Sequence, residues 1–313
     1  MRIAANTPSR GLRLWRPLQK HGPVFAMITP TVFLFLVAVV YPICWMLRYM
    51  FFDWDGVMPA TFVGLENFVR LLTRDPLFWK SVMGTFVYAG GKLLLTLPAS
   101  LLLAVALNRK LKGQNFFRGV LFMPTVISSA VASVVFFYMF NSYNGVINKL
   151  LLATHVVDKP INWFGVSLAM LTAILVSAWG AVGNYMVLIL AGLQSIPPEL
   201  YEAAAIDGAD EWQQFKNVTI PMLGPVLQVV FMLAIVVALR GYEGIMVLTG
   251  GGPADATMVM FLYIFRLFFP SIDSGTLTQQ YGYGAALSFV ASIIITIITL
   301  GYLRLSRKLQ DAY

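Results

Sequence analysis

The chain of 313 residues has little charge, one cysteine and two histidines. Lys, Arg, Asp and Glu together make up 12% of it, against roughly 25% in a soluble domain. That shortfall excludes an ordinary soluble fold. The single Cys44 excludes an intrachain disulfide and a cysteine-based zinc site. It lies in an apolar run and reads as a packing residue. His21 and His155 are isolated, and no His-Glu-x-x-His occurs. A Walker-type phosphate loop is also missing. Gly90-Gly91-Lys92 is followed by Leu93 within an apolar run rather than by Ser or Thr. No catalytic residue is therefore assigned, and the chain is not expected to be an enzyme.

What is abundant is apolar: 58% of residues are hydrophobic and the mean hydropathy is +0.76. The net charge is +8 and the pI about 9.6. A basic excess is one mark of nucleic-acid binders, but here the basic residues flank apolar runs, as topology signals do. No nucleic-acid partner is implied.

A helix needs roughly 20 apolar residues to cross a bilayer. Six runs qualify: about 24–47, 81–107, 119–140, 167–192, 226–248 and 285–303. The expected fold is an all-α integral membrane protein with six transmembrane helices. The first run is longer than a signal-peptide core and lacks a small-residue cleavage site.

The tail before the first run carries Arg2, Arg10, Arg13, Arg16 and Lys20 without an acid. The second loop carries Arg109, Lys110, Lys112 and Arg118, again without an acid, and Arg304, Arg307 and Lys308 follow the last run. The first loop instead balances Arg48, Arg70, Arg74 and Lys80 against Asp53, Asp55, Glu66 and Asp75. The positive-inside rule then places both termini and the even-numbered loops in the cytoplasm. This divides the chain into a cytoplasmic tail 1–23, a six-span domain 24–304 and a cytoplasmic tail 305–313.

The loop 193–225 is cytoplasmic on this scheme yet acidic, with Glu199, Glu202, Asp207, Asp210 and Glu211 against Lys216. Its punctuation predicts two short helices. Pro197 and Pro198 suit a helix start. Ala-rich Leu200–Ile206 is helix-forming, and Asp207-Gly208 supplies a stop with a left-handed cap. Asp210 with Gln213 forms a capping box for a second helix, which Pro221 ends. A lipid-bound amphipathic connector is usually rich in Lys and Arg. An acidic one points to a protein partner.

Glu202-Ala203-Ala204, then Gly208, then Val218-Thr219-Ile220-Pro221 resembles the EAA loop of ABC importer permeases. Val218 and Ile220 replace the usual Ile and Leu. Four further stretches are similar to the MalF-like carbohydrate permeases: Phe62–Phe68, Gly145–Asn148, Ala191–Pro197 and Leu248–Pro253. Unlike the maltose prototype, this chain has six spans and no large periplasmic insertion, and Gly84-Thr85 stands where Asn-Thr is common.

The resemblance implies a type I ABC importer permease fold in a bacterial inner membrane. It implies a second, MalG-like permease as heterodimer partner, two ATPase subunits and an extracytoplasmic solute-binding protein, with a carbohydrate as cargo. Cofactors would be absent from this chain, ATP and Mg being bound by the ATPases. Coupling to the ATPase falls on Glu202, Ala203, Ala204, Asp207, Gly208, Trp212, Phe215 and Pro221. Glu202 would meet a basic group, the alanines would allow close approach and Gly208 would make the turn. Trp212 and Phe215 would anchor either in the ATPase or back on the spans.

Ionisable residues within spans are functional candidates by default. Lys92 reads as a snorkelling or helix-bonding residue or as a functional one. Arg240 and Glu243, three apart in the fifth run, read as an internal ion pair on one helical turn or as cargo contacts. The resemblance favours contact, because it places cargo on the stretch before the Thr-Gly-Gly-Gly-Pro turn. An arginine fork suits carboxylates, so an acidic, uronate-containing oligosaccharide is one expectation. Asn184, Tyr185, Tyr242 and Trp179 complete the substrate-binding candidates, with helix packing the other reading of Trp179 and Tyr185. Gly180 and Gly183 read as sites of close helix approach. Alternatives are a permease for a polyol phosphate or another solute, and an ATP-independent secondary transporter. The latter would show internal repeats.

Overall fold

The computed structural model describes residues 16–109, 112–270 and 278–310. The basic residues Arg2, Arg10, Arg13 and Lys110 expected to set topology lie outside them. The first span is helix α1 (Arg16–Phe35), a π-helical turn at Leu36–Val40 and α2 (Tyr41–Tyr49). A two-stranded antiparallel hairpin follows, β1 (Phe52–Asp53) with β2 (Thr61–Phe62), then α3 (Glu66–Thr73). Helix α4 (Pro76–Asn108) is the second span and, at 33 residues, longer than a bilayer core requires.

The third span departs from the single helix expected over 119–140. It consists of α5 (Gln114–Phe122), a 3-10 turn at Met123–Val126 and α6 (Ser129–Met139). The two halves meet at 96°. The cause is local: Pro124 lacks an N–H, and the Ser128 hydroxyl caps the new helix by accepting from Val131 N at 3.3 Å. Next come α7 (Val146–Ala153), the fourth span α8 (Ala169–Gln194), α9 (Pro198–Ile206) and α10 (Glu211–Gln214). The fifth span is α11 (Ile220–Leu239), followed by α12 (Glu243–Leu248), α13 (Met260–Phe268) and the sixth span α14 (Tyr281–Gln310). Among the described residues five helical segments are long and apolar enough to cross a membrane, six when the bent α5–α6 pair is counted as one span. The last helix runs past 304 to Gln310.

Helices α4, α8 and α11 form the centre. At one end Leu97, Ala104, Met186, Ile189, Leu223 and Val230 interlock in a buried cluster. Toward the other end Ile174, Ile245, Met258 and Leu262 pack around Tyr88. Small residues permit the close crossings. The Ser100 hydroxyl donates across to Val182 O on α8 at 2.9 Å. A Cβ on Gly183 would fall on Leu121 O, so the glycine allows the close approach of α5 to α8 at that point.

The motifs outside the acidic loop hold turns in place. Asn67 donates to Met50 O and Phe52 O, both at 3.0 Å, pinning α3 to the hairpin. Asn148 uses its whole amide: it donates to Ser142 O and Ile161 O and accepts from Ile161 N and Trp163 Nε1. Asp75 caps α4 by accepting from Phe78 N at 2.9 Å. Its other oxygen accepts from Tyr263 at 2.8 Å and Tyr283 at 2.5 Å. One carboxylate thereby ties α4, α13 and α14 together.

Candidate functional site

Two features carry chemistry: the acidic loop at one end of the bundle and a polar cavity between α4, α6, α8 and α12. The loop folds by its own sequence rules. Helix α9 starts with Pro198 in its first turn and ends in a two-bond cap. Ala209 N donates to Ala204 O at 2.9 Å and Gly208 N to Ala205 O at 3.1 Å, the Schellman arrangement. Gly208 sits at φ +82°, which only glycine adopts without strain. Asp210 opens the second helix with a full capping box: Gln213 N donates to its carboxylate at 2.7 Å, and Asp210 N donates to Gln213 Oε1 at 2.9 Å.

Pro221 does not end that helix. A π-helical turn at Phe215–Thr219 joins α10 to α11, so one helical course runs from Glu211 through span five. The turn re-phases the backbone and makes room for Pro221, which sits in the first turn of α11. The loop is therefore built as an extension of a span. The Tyr201 and Thr219 hydroxyls lie 3.0 Å apart, bracing α9 against this junction. Arg109 from the preceding basic loop donates to Glu211 at 2.7 Å.

Glu202, Ala203, Asp207, Gly208 and Pro221 are exposed, whereas Ala204 is half-buried. Trp212 is 69% exposed and stacks on half-buried Phe215 with ring centroids 5.6 Å apart. Phe215, Tyr201 and Thr219 line a cavity of about 440 Å³ beside Arg109 and Glu211. Ile206, 87% exposed, adds an apolar tip.

The polar cavity has two lobes, of about 240 and 360 Å³. Tyr88, Lys92, Ser129, Ser177 and Gly244 border both. The first lobe adds Thr125 and Ser133, and the second Arg240, Tyr242, Glu243 and Phe261. The break at Arg240–Tyr242 separates α11 from α12. Arg240 and Glu243 thus do not share a helical turn, and they form no salt bridge. Both face the second lobe instead. Tyr242 is half-buried against Phe265, with ring centroids 5.7 Å apart.

Three sequence candidates lie away from these lobes. Tyr185 is buried in the apolar cluster of α4, α8 and α11, which favours its packing reading. Trp179 meets Phe136 edge to face at 5.0 Å, and Asn184 is exposed on α8. The residues that sequence reasoning missed are Tyr88, Ser129, Ser133 and Ser177. A signal existed, because Tyr88/Lys92 and Ser129/Ser133 are polar pairs four apart on their helices.

The family described as binding-protein-dependent transport system inner membrane component matches residues 96–311. The chain is 33% identical over 291 residues to the trehalose/maltose transport system permease protein MalF of Thermococcus litoralis, covering 92% of this chain and 94% of that protein. It is 34% identical over 267 residues to the multiple sugar-binding transport system permease protein MsmF of Streptococcus mutans, covering 84% and 87%. Its fold matches a chain in the crystal structure of a bacterial ABC transporter involved in the import of the acidic polysaccharide alginate. The TM-score is 0.81 at 24% identity, with 95% of this chain and 99% of that chain covered.

Proposed function

The chain belongs to the binding-protein-dependent transport system inner membrane components, and from that premise we propose that it is the permease subunit through which an ABC importer moves a carbohydrate. The observation that carries this reading is the presence, on one chain, of a braced acidic loop and a hydroxyl-lined cavity level with the middle of α4. The sugar-transport relatives support the cargo class.

In this reading the loop seats in a separate ATPase subunit, which binds ATP and Mg. Four of its five acids are free of salt bridges among the described residues, Glu211 being paired with Arg109. They complement a basic cleft, with Glu202 foremost. Exposed Trp212 and Ile206 supply apolar contact, which supports the ATPase-facing role for Trp212. Movement of the loop passes directly into span five, because α10 and α11 are one helical course. Alternating access then follows from a rigid-body switch between two packed states. A second permease, a pair of ATPases and an extracytoplasmic binding protein complete the machine. Both termini of this chain face the cytoplasm of the bacterial cell.

The test is uptake into proteoliposomes. The chain is co-expressed with its neighbouring permease and ATPase, and a panel of neutral and acidic oligosaccharides is offered with the binding protein. Carbohydrate uptake that needs ATP and the binding protein is expected. Solute movement by the purified chain alone would replace this reading with a secondary transporter.

A further inference from the structure

Lys92 is the central residue of α4, 16 positions from each end (92 − 76 and 108 − 92). With the helix centred in a hydrocarbon core about 30 Å thick, its Cα lies about 15 Å from either edge, beyond the reach of a four-carbon stem, so the ammonium does not snorkel. The side chain is 8% exposed. Among the described residues it forms no salt bridge. Its partner is the ring of Tyr88, one helical turn earlier, at 6.0 Å.

An unneutralised ammonium at this depth is costly, and such groups persist where they face a water-filled cavity or a pathway. Lys92 borders both lobes of the cavity. Among the described residues Arg240 stands on the wall of the second lobe without a salt bridge, and Glu243 is the one acid lining it. The combined wall therefore carries two cations against one carboxylate, set among serine hydroxyls.

Resting on the permease reading above, we propose that Lys92 is a cargo-binding residue and that the group it takes is the carboxylate of a sugar acid. A carboxylate neutralises the buried ammonium through a charge-assisted hydrogen bond. A neutral sugar offers only hydroxyl oxygens and leaves the charge uncompensated. Ser129 and Ser177 flank the same site and hydrogen-bond the neutral hydroxyls of the ring. Lysine suits a transit site because its flexible point charge imposes no bidentate clamp. A pathway must bind its cargo and then release it.

The test uses the complete transporter with its binding protein in proteoliposomes. Uronate trisaccharides, neutral trisaccharides of the same length and glycerol phosphate are supplied separately to wild type, Lys92→Met and Lys92→Arg. Co-purification with the ATPases on gel filtration checks assembly of each variant. The expected cargo is a uronate. Lys92→Met should raise its KM at least tenfold with kcat changed less than twofold, and Lys92→Arg should recover most of the affinity. Wild type moving neutral sugars or glycerol phosphate but no uronate would overturn the inference. So would Lys92→Met with an unchanged KM, or with a loss confined to kcat, which marks a structural role. Absence of ATP-dependent uptake of any carbohydrate would overturn the permease reading and this inference with it.

Discussion

The hydroxyl of Tyr201 lies 3.0 Å from that of Thr219, which is itself buried and within 3.4 Å of Gln214 O. This pair joins α9 to the π-helical turn from which span five departs. In the proposed coupling, this brace passes a tilt of the loop to the membrane helix. Tyr201→Phe should cost about 1 kcal/mol of local stability and lower the amount of cargo moved per ATP. In a double-mutant cycle, Tyr201→Phe with Thr219→Val should cost no more than the larger single change. The ratio of uptake to hydrolysis reports it, and simple additivity would refute the coupling.

Gly208 gives a second prediction. A Cβ there meets nothing within 4 Å, so the barrier to substitution is the backbone at φ +82° alone. Gly208→Ala should cost about 1 kcal/mol. Gly208→Asn should cost less, because asparagine tolerates the left-handed region. ATP-driven uptake at matched expression should rank Gly above Asn above Ala. Equal losses for Asn and Ala would show that crowding by the docked partner, not backbone strain, sets the requirement.

Asp75 gives a third. Asp75→Ala removes the cap of α4 and leaves the Tyr263 and Tyr283 hydroxyls without their acceptor. The loss should be about 3 kcal/mol, read as a fall in thermal midpoint, with Asp75→Asn much milder. The same cluster makes stability depend on alkaline pH. Burial first, then the hydrogen bond and charge of Asp75, raise the Tyr263 phenol above its ordinary value. A raised phenol contributes stability that is fully present below its unfolded value near 10 and is lost as pH climbs above it. The wild-type midpoint should therefore fall more steeply above about pH 10 than that of Tyr263→Phe.

Gly84 gives a fourth. A Cβ at that position would fall on the carbonyl oxygen of Met258, and the neighbouring Thr85 hydroxyl accepts from Met260 N at 2.8 Å. The Gly84-Thr85 pair thus seats the turn before α13 directly on span two. Gly84→Ala should destabilise by about 1–3 kcal/mol through overpacking, seen as lower yield and thermal midpoint. A neutral outcome would mean that α13 can move away freely.

Local features of the loop were readable because each rests on neighbours in sequence. Pro198, Gly208 and the Asp210–Gln213 pair all act within one turn of helix. The end expected at Pro221 was misplaced because a π-helical turn has no sequence mark of its own, and it makes room for the proline. The bend in span three was hidden for another reason. Hydropathy averages over Pro124 and Ser128, although both break signals stand in the run. The cavity was legible only in part. Arg240 and Lys92 stand out as charges in apolar runs, but the serines that join them are ordinary span residues until α4, α6 and α8 cross. For Tyr185 both readings stayed open, since an aromatic in a span gives no sign of which face it occupies, and its place in the apolar cluster favours packing.

The most direct test of the central claim is the coupling of hydrolysis to uptake in the complete transporter, compared between wild type, Glu202→Ala and Glu202→Lys. The account predicts that wild type moves carbohydrate in step with ATP hydrolysis. Both loop variants should assemble, yet lose most uptake at a given rate of hydrolysis. Uptake unchanged by either substitution, or proceeding without ATP, would contradict it.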